Sequence, residues 1–429
     1  MAETSTDSSQ ESVSSDVYGS VTDAVYQSAF SNFITVQGDK LKDGDADFRF
    51  ASLNYPGAIL DPDFSKEDAL RTFAAIGGKV TRTYVPPVKR YDNSNESSAL
   101  VLGPDSNGTM QFSEEGFKKL DKFLALANQY GIRVIIPFVD QWQWVGGIES
   151  YVNFRYPGTI SNDAAHDDDA WKFYTDPLVI SDFKQVIHYM MNRVNTYTGV
   201  MYKDDKAILA WETGNELGGY NQDKFPQSWT TEIARYIKEE EQPSQLLLDG
   251  RFAVNAESLN DPNIDIVGNH FYTGNFLDKL NADQQAANGK KPYILGEFGL
   301  YTSAAPVETL YNAALQNGTD GIMIWSLRPH KEDGGFYWHD EDPGNWASYH
   351  WPGFSSGDYY GEKDIIRTVY KYAHYMNTND VTKSTPVPAI PAPSNAPVLF
   401  DITSVADIKW QGSVGASGYE VQRSTDGQD

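Results

Sequence analysis

ILAWETGNE (208–216), QSWTTEIARYIKEEEQ (227–242) and LLLDG (246–250) follow one another along the chain. The first and third runs are almost continuously apolar, the composition of a strand buried on both faces. The middle run is amphipathic at helical spacing. A strand, a helix and a second strand of this kind make one unit of a parallel β/α sheet.

The alternation continues outward in both directions. Upstream, FRFASLN (48–54) precedes SKEDALRTFAAIGG (65–78), VTRTYV (80–85) precedes SEEGFKKLDKFLALANQYG (113–131), and VIIPFVD (134–140) precedes DPLVISDFKQVIHYMMNRVNTYTG (176–199). Downstream, LLLDG leads into a shorter connection. DIVGNHFY (265–272) precedes NFLDKLNADQQAAN (275–288), PYILGEFG (292–299) precedes VETLYNAALQNG (307–318), and GIMIWSL (321–327) precedes EKDIIRTVYKYAHYMN (362–377). Eight such units closing on themselves predict an α/β fold of the (β/α)8 TIM-barrel type, about 250 residues plus insertions. A doubly wound open sheet is the competing layout. The barrel is preferred because no glycine-rich phosphate loop follows the first strand and because polar residues gather at the strand C-termini.

The ends of the chain differ from this middle. Residues 1–24 are rich in Ser, Thr, Asp and Glu and poor in apolar residues, so they are expected to be disordered. They lack the apolar run of a signal peptide. FITVQGDKLKDGDADFRFASLN (33–54) alternates apolar and polar residues around Asp43-Gly44-Asp45, which predicts a small N-terminal hairpin. The barrel domain is expected over 25–379. Residues 380–396 are expected to form a Pro-rich linker, read from TKSTPVPAIPAPSNAP (382–397). The remaining 397–429 resembles the opening strands of a fibronectin type III module, a truncated β-sandwich fragment, since a whole module needs about 100 residues.

Composition narrows the function classes. The chain has 429 residues, 34 Lys plus Arg against 59 Asp plus Glu, and a formal charge of −25. An acidic surface repels phosphate, which argues against nucleic acid and anionic membranes as partners. Cysteine is absent, so disulfide frameworks, thiolate metal sites and cysteine nucleophiles are excluded. Ten Trp, 26 Tyr and 21 Phe in a hydrophilic chain put many rings at or near the surface, for which sugar binding is one common reason, since apolar pyranose faces stack on aromatic rings. His166-Asp167-Asp168-Asp169 lacks the loop spacing of a calcium site, so no metal is expected there. Asn95, Asn107 and Asn317 fit the N-glycosylation pattern, which arises often by chance.

Two carboxylates stand out by position. Glu216 is read as ending the fourth strand and Glu297 as ending the seventh. In this fold the strand C-termini build the active site. Strands four and seven face each other across the barrel mouth, so the two side chains can flank one bond. Two carboxyl groups about 5–5.5 Å apart suit double displacement at an anomeric carbon.

AWETGNEL (210–217) followed by ILGEFG (294–299) resembles glycoside hydrolase family 5, over about Phe33 to Met376. FVDQWQWVGGIESYV (138–152) resembles a segment of that family's β-mannanase branch. The resemblance implies a secreted retaining β-glycosidase acting on β-1,4-mannan or related hemicellulose, without a cofactor; a monomer is the default expectation. Read across by position, it implies Glu297 as nucleophile, Glu216 as acid/base, and Arg82, Asn215, His270 and Tyr272 as catalytic-site partners. A positive Arg82 would favour the ionised nucleophile, Tyr272 would donate to it, and Asn215 would bond the sugar 2-hydroxyl. His270 would orient Glu216 or bind a hydroxyl. Trp325 would floor the reacting sugar, and Trp142 would be a stacking platform in the donor-side subsites. Leu217 stands where the family usually has proline. The long aromatic loop from Arg328 to Gly361 either packs on the barrel rim or walls off one end of the cleft. An endo-β-1,4-glucanase, an exo-acting β-mannosidase and a non-catalytic carbohydrate-binding barrel are the rival readings.

Overall fold

The computed structural model describes residues 27–160, 168–299, 301–338, 340, 341, 345, 346, 349–353 and 361–425. The expected disordered segment 1–24 lies outside these, as do His166 and Asp167 of the acidic run.

Each of the eight apolar runs contains one strand: β1 (Phe50–Leu53), β2 (Val80–Arg82), β3 (Arg133–Pro137), β4 (Ile208–Glu212), β5 (Leu246–Asp249), β6 (Ile266–Phe271), β7 (Tyr293–Phe298) and β8 (Gly321–Ile324). They form one sheet in the order β1-β8-β7-β6-β5-β4-β3-β2, and every ladder is parallel. Tyr55 bridges Thr83 beyond the ends of β1 and β2, and the Tyr55 N–H donates to the Arg82 carbonyl at 3.0 Å. That bridge joins the two edges, so the sheet is a barrel and not an open sheet.

Among the helices outside it, one belongs to each unit: α1 (Asp63–Ile76), α2 (Glu114–Tyr130), α3 (Pro177–Asn192), α4 (Gln227–Arg235), α5 (Ala256–Asn260), α6 (Phe276–Ala287), α7 (Ala304–Asn317) and α8 (Glu362–Asn377), with further short helices at Ile148–Arg155 and Lys172–Thr175. The short α5 is the reduced connection expected after LLLDG. Local chemistry sets several ends. Ser113 accepts from the Gly116 N–H to start α2, and Asp176 accepts from Leu178 and Val179 to start α3. Gly131 closes α2 at φ +68°, a left-handed conformation that costs a side-chain-bearing residue steric strain.

The N-terminal element has one more turn than the sequence suggested. Ile34–Gln37 pairs with Lys40–Asp43, which then pairs with Ala46–Asp47. The turn at Gly38 (φ +65°) precedes the one at Gly44 (φ +60°). Ile34, Leu41 and Phe48 join Phe50, Val80, Ile135, Leu248, Ile266 and Ile294 in one buried cluster. The meander therefore plugs the barrel at its strand N-termini, and the opposite end is left for chemistry.

After α8 the Pro-rich segment runs along the barrel flank. Val387 and Ile390 pack on the outer core, and the Tyr370 hydroxyl donates to the Ala389 carbonyl. Val398–Leu399 then pairs antiparallel with Trp410–Gln411. One two-residue ladder does not identify a fibronectin type III module.

Several described residues of the loop after β8 pack on the barrel. Tyr349, His350 and Trp351 are buried, and the His350 ring bonds Glu362 at the start of α8 at 2.6 Å and the Tyr337 carbonyl at 2.8 Å. His330 is held by Asp68 of α1 at 3.0 Å. His339 lies outside the described residues, as does the side chain of Trp346. Trp338 is exposed.

Candidate active site

Arg82 is the last residue of β2 and is fully buried. Its guanidinium gives two hydrogen bonds to Glu212, at 2.6 and 3.2 Å, one to Glu297 Oε1 at 2.6 Å, and one to Asn215 Oδ1 at 2.8 Å. Burial works against its charge, but the Glu212 and Glu297 carboxylates outweigh that and raise its pKa. One cation thus ties β2, β4 and β7 together at the barrel mouth.

Glu297 lies inside β7 and is 4 % exposed. Its Oε2 accepts from the Tyr272 hydroxyl at 2.6 Å. The register between β6 and β7 shifts here: Asn269 faces Leu295, whereas His270 faces Glu297, so Gly296 is the extra residue of a bulge. A Cβ at Gly296 would stand 2.8 Å from His270 Nε2. Glycine lets the histidine ring and the carboxylate share that space.

Glu216 lies beyond its strand. β4 ends at Glu212, and Glu216 sits in the following turn at φ +53°. The expectation that it ends the fourth strand is corrected by four residues. A non-glycine residue in the left-handed region costs on the order of 1–3 kcal/mol and needs a surrounding that holds it. Here the Asn215 N–H donates to the Val139 carbonyl, Gln141 donates to the Asn215 carbonyl, and Leu217 donates to the Gly250 carbonyl. These bonds pin the turn between the ends of β3 and β5. The carboxyl of Glu216 then lies 2.9 Å from His270 Nδ1 and accepts from the Trp142 indole N–H at 2.5 Å.

One carboxylate oxygen of Glu216, one of Glu297 and a His270 ring nitrogen all lie within 4.8 Å of one another. Arg82 already supplies the positive charge beside Glu297, which makes a further cation a poor fit. His270 also lies 3.8 Å from Glu297 Oε2. Burial lowers its pKa from the ordinary 6.5, with Arg82 adding to the effect and Glu297 opposing it. A group with a depressed folded pKa contributes stability above its unfolded pKa and loses it as the pH falls. The Tm advantage of the parent protein over His270→Asn is therefore expected to be full above pH 6.5 and to shrink below it. An advantage that grew on acidification would contradict the burial argument; thermal melts across pH 5–8 measure it.

The structure brings Arg82, Asn215, Glu216, His270, Tyr272 and Glu297 into one network. Trp325, nearly buried at 9 % exposure, meets the Tyr84 ring edge-on at 6.0 Å. Trp142 lies beside Glu216, to which its indole N–H is bonded. Its ring continues outward to the exposed Tyr220 at 5.3 Å, and Tyr220 continues to Phe252 at 5.7 Å. Sequence reasoning missed three residues. Glu212, inside β4, is the second carboxylate on Arg82, and burial raises its pKa against the pull of that arginine. Asp140 and Tyr84 follow β3 and β2, and the Tyr84 hydroxyl donates to the fully buried Asp140 at 2.5 Å. A charged residue inside an apolar run, or at its C-terminal end, was the available signal.

A groove of about 810 Å³ lies elsewhere, between the loop after β8 and the C-terminal segment. Its Lys331, Glu332, Asp333 and Lys409 mix both signs of charge, and it has no comparable network.

The chain matches, over residues 91–281, the family described as GH family 5 beta-mannosidase-like. Mannan endo-1,4-beta-mannosidase 1 of Oryza sativa subsp. japonica is 31% identical over 316 residues, 60% of this chain and 68% of that protein. Mannan endo-1,4-beta-mannosidase 1 of Solanum lycopersicum is 27% identical over 70% of this chain and 85% of that one. Among solved structures, the endo-1,4-beta-mannanase from Rhizomucor miehei superposes with a TM-score of 0.63 at 19% identity, covering 81% of this chain and all of the other. At that identity the likeness speaks for the fold.

Proposed function

The chain belongs to glycoside hydrolase family 5, in its mannanase-like branch, and from that premise we propose that it cleaves β-1,4-mannosidic bonds inside mannan or glucomannan chains, with retention of anomeric configuration. The observation that carries the reading is the spacing of Glu216 and Glu297, with oxygens within 4.8 Å. Retaining glycosidases hold their carboxyls about 5–5.5 Å apart, whereas inverting ones leave about 6.5–9.5 Å for a water.

Glu297 attacks the anomeric carbon while Glu216 protonates the departing glycosidic oxygen. Arg82 and Tyr272 hold the attacking carboxylate by two of its hydrogen bonds and fix its direction. Bond formation turns Glu297 into a neutral ester, which removes one negative charge from the pocket. Glu216, now ionised and within reach of a water, takes its proton as that water releases the sugar. Asn215 bonds the 2-hydroxyl of the reacting sugar, a contact that strengthens in the transition state.

Because Trp142 is bonded to the acid/base, we place it beside the leaving group, on the acceptor side. Tyr220, 73 % exposed, extends that line of rings outward. Cleavage inside a chain is supported by the endo activity for which the relatives are named and by the burial of Tyr349, His350 and Trp351. A polymer of this kind cannot cross a cell membrane, so the reading includes an extracellular site of action. The charge of −25 suits a neutral glycan, whose binding owes little to ion pairing.

Mannohexaose is expected to yield short manno-oligosaccharides, with the β-anomer first by proton NMR, while cellohexaose turns over far more slowly. An α-anomer formed first would exclude retention. Turnover confined to aryl β-mannoside would replace internal cleavage with release of single sugars from a chain end.

A further inference from the structure

We propose that Asp140 is a positioning residue: anchored by Tyr84, it holds the side-chain amide of Asn215 in the one orientation that leaves an N–H for the sugar 2-hydroxyl. The inference rests on the reading of Asn215 given above and deepens it.

Asn215 is 3 % exposed, and its amide lies between two groups of opposite hydrogen-bonding character. Arg82 can only donate, and it donates to Oδ1 at 2.8 Å. On the other side Nδ2 donates to Asp140 Oδ1 at 2.8 Å. Flipping the amide would set donor against donor at Arg82 and oxygen against oxygen at Asp140. The orientation is therefore imposed by the pair, and Nδ2 keeps one proton that neither partner uses. With Arg82 alone, the amide plane would be free to swing about a single bond.

Asp140 is itself tightly placed. It is 0 % exposed, and its backbone pairs with that of Asn215 across the ends of β3 and β4. Its second oxygen accepts from the Tyr84 hydroxyl, so both oxygens are engaged. Burial, with a smaller contribution from the nearby Glu216 charge, outweighs the bonds from Asn215 and Tyr84 and leaves this carboxyl pushed up to about 8. A buried carboxyl is costly to keep unless its bonds are used. Here they fix an amide that lies next in sequence to the acid/base residue.

The test compares kcat and KM on an aryl β-mannoside and on the same glycoside lacking the 2-hydroxyl. Asp140→Ala is expected to lower kcat about 100-fold on the mannoside with KM changed less than about threefold, and to lower kcat less than about fivefold on the 2-deoxy substrate. Asp140→Asn is expected to stay within about fivefold of the parent on both, because its amide oxygen can accept from Asn215 while its NH2 donates to Tyr84. Where Asp140→Ala does not fold, Tyr84→Phe should give the same selective loss at about tenfold. An equal loss on both substrates, or none, overturns the proposal. Asn215→Ala separates the two levels. If that variant also fails to discriminate the substrates, the assignment of Asn215 to the 2-hydroxyl falls; if it discriminates and Asp140→Ala does not, the positioning role alone falls.

Discussion

Replacing Glu297 with alanine should reduce turnover of every glycoside by roughly 10⁵-fold or more, the range seen when an enzyme loses its nucleophile. The protein should still fold, because Arg82 keeps its two bonds to Glu212 and is not left as an unpaired buried cation. Far-UV circular dichroism and an unchanged melting transition would separate lost chemistry from lost structure. The deleted carboxylate leaves a polar space beside Arg82 and the Tyr272 hydroxyl. Azide fits such a space and carries the right charge for Arg82. With a 2,4-dinitrophenyl β-mannoside, added azide should restore turnover and give the α-configured glycosyl azide, since it attacks from the face that Glu297 occupied. A β-configured azide from Glu297→Ala, with the α-configured one from Glu216→Ala, would exchange the two roles.

The barrel was readable because a parallel strand enclosed by helices has no polar face to confuse its pattern. The runs around Ile135, Leu209 and Ile294 are apolar for that reason, and each became a strand. The residues on and just after those strands then followed from one rule about strand C-termini. What stayed hidden was contact between distant runs. Glu212 lies four residues before Glu216, and nothing local says that it reaches Arg82, 130 positions away. Asp140 ends its apolar run, and a single carboxylate there has no visible partner until Asn215 is placed beside it. The second turn of the N-terminal meander was missed for a different reason. Gly38-Asp39 and Gly44-Asp45 are equivalent turn signals, and the alternation of 33–54 is satisfied by either.

The single arginine explains why the pocket tolerates so many carboxyls. Glu212 and Glu297 share the Arg82 charge, while His270, its pKa lowered by burial, bonds Glu216 as a neutral ring. On the proposed mechanism, esterifying Glu297 leaves Arg82 balanced by Glu212 alone and removes the negative charge that faces Glu216. The change of role from acid to base therefore needs no movement of Glu216, only the loss of one charge across a gap of at most 4.8 Å.

That argument fixes what Glu216→Ala should do. The first step needs a proton only when the leaving group is poor. On an oligosaccharide or unactivated aryl β-mannoside, kcat/KM should fall by about 10²–10⁴-fold, the usual contribution of a general acid. On dinitrophenyl β-mannoside, kcat/KM should change little, because that phenolate leaves unaided. The second step has also lost its base, so kcat should drop there, with KM dropping alongside it as the glycosyl-enzyme accumulates. Azide needs no base, and in this variant it should raise kcat and give the β-configured azide, the opposite anomer to that from Glu297→Ala. The alanine also strands the Trp142 indole N–H and His270 Nδ1, so some loss of affinity for the acceptor sugar is expected on the natural substrate. If kcat/KM fell equally on the activated and natural glycosides, residue 216 would not be the proton donor, and the two-carboxylate account of this barrel would fail with it.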